Sequence, residues 1–131
     1  MIKLSSWNVR GLNALTKQKE VKEFLHCNGV HLCALLETHV HSGALGGICN
    51  RIFGRWGWGS NVAVSNRGAR IVIGWDMALM DVMFLDLHSQ FIHCQVQLKG
   101  DNVPFLCRFA MVDIIRLIAI CYGPDYVNPG C

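Results

Sequence analysis

Two short apolar runs flanking one amphipathic stretch constrain this chain more than any other feature. Ile2 to Trp7 is an apolar run that reads as a buried strand. Leu15 to Cys27 then places Val21, Phe24 and Leu25 on one helical face, with Lys17, Lys19, Glu20 and Lys22 mostly elsewhere. Gly29 suits the residue just past the helix end, where left-handed geometry is needed. Val30 to Leu36 is a second strand, apolar enough to be covered on both faces. Strand, helix and strand in this order form a βαβ unit, whose strands run parallel through a right-handed crossover.

Beyond this unit the pattern changes. Gly43 to Gly47 reads as loose chain, with a short helix near Cys49 to Phe53. Strand-like pieces follow at Asn61 to Val64, Ala69 to Trp75, Asp81 to Leu87, Phe91 to Leu98 and Val103 to Phe109. Ser65-Asn66-Arg67-Gly68 is a turn signal that makes a hairpin of the first two. In Phe91 to Leu98, Ile92, Cys94, Val96 and Leu98 alternate with His93, Gln95 and Gln97, which predicts a half-buried strand with one wet face. The expected class is α+β: a mixed β-sheet with a βαβ start and a helix layer on one face.

Composition narrows the setting. The 131 residues hold one small domain, and 16% charged residues against 52% hydrophobic ones exclude disorder. A net charge of +3 without a basic run permits contact with a polyanion but does not announce one. The seven cysteines include no Cys-x-x-Cys pair, and the first residues carry no signal-peptide core, so buried reduced thiols in an intracellular protein, nuclear or cytoplasmic, are expected. The apolar stretch from Pro104 to Pro124 contains Arg108, Asp113 and Arg116, whose cost at membrane depth argues against a membrane partner. No glycine or proline interrupts Val112 to Cys121, which predicts regular structure packed on the sheet.

The residues able to carry chemistry follow the two parallel strands. Ser5-Ser6-Trp7-Asn8-Val9-Arg10-Gly11-Leu12-Asn13 comes after the first, and Leu35-Leu36-Glu37-Thr38-His39-Val40 ends the second. Both therefore lie at the C-terminal edge of the sheet, where α/β folds place their sites. Asn8 offers a neutral oxygen and Glu37 an ionised one, a donor set that suits Mg²⁺. The bland reading is a capping Asn and a solvated Glu. Arg10 could reach a phosphate, but also reads as a surface arginine.

These two segments, followed in order by Gly68-Ala69-Arg70-Ile71-Val72-Ile73-Gly74-Trp75-Asp76 and Pro104-Phe105-Leu106-Cys107, resemble the endonuclease domain of plant LINE-type retrotransposons, part of the endonuclease/exonuclease/phosphatase family with a DNase-I-like fold. The similarity runs from about Met1 to about Cys107 and covers about half of such a domain, with residues 108–131 as a divergent apolar tail. It implies about half of a four-layer α/β-sandwich, Mg²⁺-assisted hydrolysis of DNA phosphodiesters, Glu37 as a metal ligand, and Asn8 positioning metal and phosphate. Other motifs of the family do not stand in register: the Asp/Asn pair of a Gly-Asp-Phe-Asn-like segment and a final Ser-Asp-His. Tyr122-Gly123 resembles the family's Tyr-Gly element but follows an unexpected apolar insert. The expectation is a chain that is catalytically silent alone, contacts DNA weakly, and exposes a sheet face open to self-association.

Three other groupings compete. Cys33, Glu37, His39 and His41 are ligand types zinc accepts, but their spacing matches no zinc motif. Trp56 and Trp58 beside Arg51 and Arg55 could stack bases, as in a silent nucleic-acid-binding remnant, or pack on the sheet. Met77, Met80 and Met83 read as core filler, and His26, His31, His88 and His93 as surface or partly buried imidazoles.

Overall fold

The computed structural model describes residues 2–111 and 117–122. The chain runs β1 (Leu4–Asn8), α1 (Leu15–Cys27), β2 (Leu32–Val40), α2 (Ser42–Phe53), β3 (Gly57–Ser60), a 3-10 turn (Val62–Val64), β4 (Ala69–Trp75), β5 (Met80–Leu87), β6 (Phe91–Leu98), β7 (Phe105–Met111) and β8 (Leu117–Tyr122). The βαβ start is as expected. β1 pairs parallel with β2 in the register Leu4↔Leu32 through Asn8↔Leu36. The α1 helix buries Gln18, Val21 and Leu25, spaced three and four apart, and gives way to Gly29 at φ +59°.

The strands divide between two four-stranded sheets. The first has the order β1-β2-β4-β3 and is mixed; the second, β5-β6-β7-β8, is antiparallel throughout. Two cores result. Cys33 and Leu35 of β2 point to the helices and meet Val21, Leu25, Ile48, Ile52 and Phe53. Leu32, Ala34 and Leu36 point the other way, with Ile71 and Ile73, onto Ile92, Cys94, Val96, Cys107 and Phe109 of the second sheet. The layers are helix, sheet and sheet: an α+β fold with helices on one face, matching a partial α/β sandwich.

Two local expectations shift. The second helix is longer than its sequence suggests, because Leu45, Ile48, Cys49, Ile52 and Phe53 form one buried face and tertiary burial outweighs the glycines at 43, 46 and 47. The strand expected at Asn61–Val64 lies earlier, at Gly57–Ser60. There the missing side chains are needed: a Cβ on Gly57 would sit 2.6 Å from the Trp75 ring, and one on Gly59 would overlap Phe84. Of the three methionines only Met80 is buried; Met77 and Met83 are exposed.

The outer face of the second sheet is open. Met83 is 59% and Leu85 48% exposed there. β7 runs through residues 107 and 108 and pairs with β8. Of the expectation for Val112 to Cys121, residues 117–121 form part of strand β8, whereas 112–116 and the side-chain packing lie outside the described residues. No helix among the described residues is long and apolar enough to cross a membrane.

The cysteines depart in one respect from reduced thiols throughout. Cys107 is disulfide-bonded, and its register partner on β8 is Cys121. Cys49 and Cys94 are buried free thiols, and burial pushes both up to about 12 from an ordinary value near 9. The folded state therefore keeps protons that the unfolded chain loses above pH 9. Their contribution is fully present below that pH and is lost as pH rises toward 12. Denaturant midpoints should fall between pH 9 and pH 11, less steeply in Cys94→Ala. Phe109, fully buried between the sheets, should cost about 3–5 kcal/mol on truncation to Ala. Met83→Lys, at the open face, should stay within about 0.5 kcal/mol by the same measurement.

Candidate functional site

The C-terminal ends of β1 and β2 form a single edge. Asn8 is the last residue of β1 and pairs with Leu36, the residue before Glu37. Pairing of β2 with β4 then jumps from Leu36↔Ile71 to Val40↔Ala69, so that Glu37, Thr38 and His39 oppose Arg70 alone. This is a bulge with two extra residues, and bulges re-aim side chains. Glu37 is half-buried, Thr38 buried and His39 exposed.

Backbone strain gathers at the same edge. Among the described residues the non-glycine residues with positive φ are Arg10 (51°), Glu37 (51°) and His39 (54°). All three belong to the junction of the first loop with the bulge. A left-handed residue with a Cβ costs about 1–2 kcal/mol, and such strain persists only where the surroundings over-determine it.

Here the surroundings do so through hydrogen bonds. The loop after β1 is zipped along the bulge: Val9 N–H donates to the Leu36 carbonyl at 3.0 Å, Gly11 N–H to Glu37 at 2.7 Å and Leu12 N–H to Thr38 at 2.9 Å. Asn13 Nδ2 adds a bond to the His39 carbonyl at 3.1 Å. The Thr38 hydroxyl donates to the Ala69 carbonyl, locking the bulge to β4. Asn8 Oδ1 accepts from the Arg10 N–H at 3.1 Å, which orients the amide.

Three residues that support this edge were not singled out from sequence. Gln18, buried on α1, donates to the carbonyls of Leu12 and Asn13 and accepts from Arg51 Nε at 2.9 Å, tying loop, α1 and α2 together. Asn61, with no exposed surface, has every side-chain valence filled. Its Oδ1 accepts from the Arg70 and Ile71 N–H groups at 3.0 Å, and its Nδ2 donates to the carbonyls of His88 and Ser89 at 3.0 and 3.2 Å. It clamps the β5–β6 turn to the sheet edge that holds the bulge. The third is Thr38. An amide or hydroxyl inside an apolar run was the available signal for Asn61 and Thr38.

The competing groupings are not assembled. Cys33 is buried on the helix side of the first sheet, whereas His39 and His41 are exposed, and among the described residues no three His, Cys, Asp or Glu side chains converge to hold a metal ion. Trp56 and Trp58 pack against the helix-side core, Trp56 stacked on Phe53 with ring centroids 6.0 Å apart. Arg51 is occupied by Gln18. Of the other imidazoles, His26 and His88 are exposed, while His31 and His93 are half-buried.

Sequence comparison finds no matching protein family and no matching characterised protein. Structural comparison finds the catalytic domain of human Nocturnin, solved with a bound sulfate anion, at a TM-score of 0.52 and 12% identity. The match covers 80% of this chain and 48% of that one, so the chain spans about half the length of the domain it resembles. At this identity the likeness is one of fold, that of a partial α/β sandwich.

Replacing Glu37 by Gly should raise unfolding free energy by about 1 kcal/mol, because glycine adopts the left-handed region freely. Gly68→Ala should do the reverse, since Gly68 has φ +76° and a Cβ there would meet the Val40 carbonyl oxygen at 2.8 Å. Chemical denaturation of the two variants checks both signs.

Proposed function

We propose that the edge carrying Asn8 and Glu37 is the metal-ligating part of a phosphodiesterase site of the endonuclease/exonuclease/phosphatase type, acting on DNA. The observation that carries this reading is the strained bulge, which sets Glu37 beside the end of β1 at the C-terminal edge of a parallel strand pair. The fold likeness to the Nocturnin domain supports the class of chemistry, and the sulfate in that domain has the tetrahedral oxyanion shape of a phosphate group. The motif resemblance to plant LINE-type endonucleases supports DNA as the polymer and Mg²⁺ as the ion.

The donors fit that ion in kind. The Glu37 carboxylate makes no hydrogen bond or ion pair among the described residues, where Lys17–Glu20 is the ion pair present. The Asn8 amide oxygen spends one of its two lone pairs on the Arg10 N–H. One carboxylate with one amide oxygen suits a Mg²⁺ that keeps most of its waters. When bound, such an ion stabilises charge on a phosphate and supplies an activated water. The chain's own contribution is to hold Glu37 at the edge, to fix the Asn8 amide through Arg10, and to keep the first loop seated on the bulge. Arg10, exposed next to Asn8, is placed to meet a phosphate oxygen. With one carboxylate, binding is weak and these 131 residues alone do not turn over DNA.

Mn²⁺, as a paramagnetic stand-in, should broaden the amide signals of Asn8 and Glu37 selectively, and Glu37→Ala should abolish the effect. Unchanged signals would remove the metal site. Plasmid nicking in Mg²⁺ should stay at background; nicking that disappears in Glu37→Ala would overturn the silent reading while upholding the site.

A further inference from the structure

A groove of about 310 Å³ opens on the helix side of the first sheet, at the edge opposite Glu37. Its floor includes Leu25, Ile52 and Phe53, all buried, and its wall is the half-buried Trp56, stacked on Phe53. Phe53 is itself fixed, because its ring occupies the space above Gly74 where a Cβ would stand. The rim carries Lys22, His26 and His31, and no acidic side chain lines the groove.

The rim groups have a simpler employment, since both helices end here and helix C-termini attract positive charge. Six of the carbonyls at these helix ends are already served. Phe24 accepts from the Asn28 N–H and side chain, Leu25 from Val30, His26 from Gly29, and Asn28 from the Lys3 ammonium at 2.7 Å. Those of Asn50 and Phe53 accept from Gly54 and Trp56. His31 Nδ1 accepts from the Lys3 N–H at 2.9 Å, so a neutral imidazole there keeps its proton on Nε2 as a donor. The three rim groups thus stand around an aromatic-walled pocket with donor capacity unspent. The volume lies at the lower end of small-molecule sites.

We propose that this groove binds a small planar aromatic anion, its ring against Trp56 and its charged group at Lys22, His26 and His31. Nothing in this proposal depends on the Asn8–Glu37 edge, so the two readings fail separately.

The test is an amide and indole NMR titration of the 131-residue chain with naphthalene-1-sulfonate, against the neutral 1-naphthalenemethanol. Saturable shifts are expected at Gly29, Val30 and the Trp56 indole N–H, with the alcohol binding at least about fivefold more weakly. Lys22→Glu, on an exposed helical position, should weaken the sulfonate about fivefold and leave the alcohol unchanged. Absence of saturable shifts, shifts spread over both sheets, equal affinity for sulfonate and alcohol, or an unchanged affinity in Lys22→Glu would each overturn the proposal.

Discussion

Everything in this molecule is hung on β2, a strand that must be covered on both faces. Its residues from Leu32 to Leu36 are all buried, alternately toward the helices and toward the second sheet. One such strand makes two demands. A helix layer must cover Cys33 and Leu35, and a second sheet must cover Leu32, Ala34 and Leu36. The βαβ connection satisfies the first at once by laying α1 over the strand it precedes. The second is met only by residues about sixty positions later, whose inward side chains are those of Ile92, Cys94 and Val96. Burial on this scale, at about 25 cal/mol per Å², dominates the placement of the remaining strands.

The same strand stops obeying sheet geometry at the edge that carries Glu37. After Leu36 the pairing breaks and two of the next three residues turn left-handed. A strand continuing in register would send Glu37 to the helix-side core, following Cys33 and Leu35, where an ionised carboxylate is prohibitively costly. The bulge resolves that conflict, and the cost in backbone strain is balanced by bonds from Val9, Gly11, Leu12 and Asn13. Thr38 stays buried in the middle of the bulge because its hydroxyl finds the Ala69 carbonyl. Without that partner the turn would bury an unsatisfied group.

This division explains what the sequence made legible. Periodicity reports burial, so the apolar face of α1 and the alternation of β6 can be read from spacing, whereas the buried Gln18 of α1 cannot. The edge position of Asn8 and Glu37 follows too, because parallel pairing is forced by the crossover. What could not be read is what depends on distant partners. Beyond the hairpin signalled at Ser65–Gly68, the strand segments give no hint of which ones share a sheet, since an inward face looks alike whether it meets a helix or another sheet. The glycine-rich strand Gly57–Ser60 has poor strand propensity and exists because Trp75 and Phe84 fill the room its glycines leave. Asn61 looks like a strand residue until its four bonds are seen. The left-handed backbone at Glu37 and His39 contradicts local preference and is set by bonds from the first loop.

Asn61 also decides how the second sheet bears on the candidate site. Sheet packing alone is tolerant of sliding, because apolar contacts are non-directional. The two N–H groups of β4 and the two carbonyls of the β5–β6 turn that converge on one buried amide are directional, and they sit at the same edge as the bulge. They convert a hydrophobic contact into a fixed register between the layers. Arg70, the residue opposing the whole bulge, takes its backbone position from that amide. The bulge is therefore held from two directions: along its own sheet by the zipped first loop, and across the sandwich through the Thr38 hydroxyl on Ala69, whose neighbour Arg70 bonds to Asn61 and through it to His88 and Ser89. The candidate edge on the first sheet thus depends on the second for its shape.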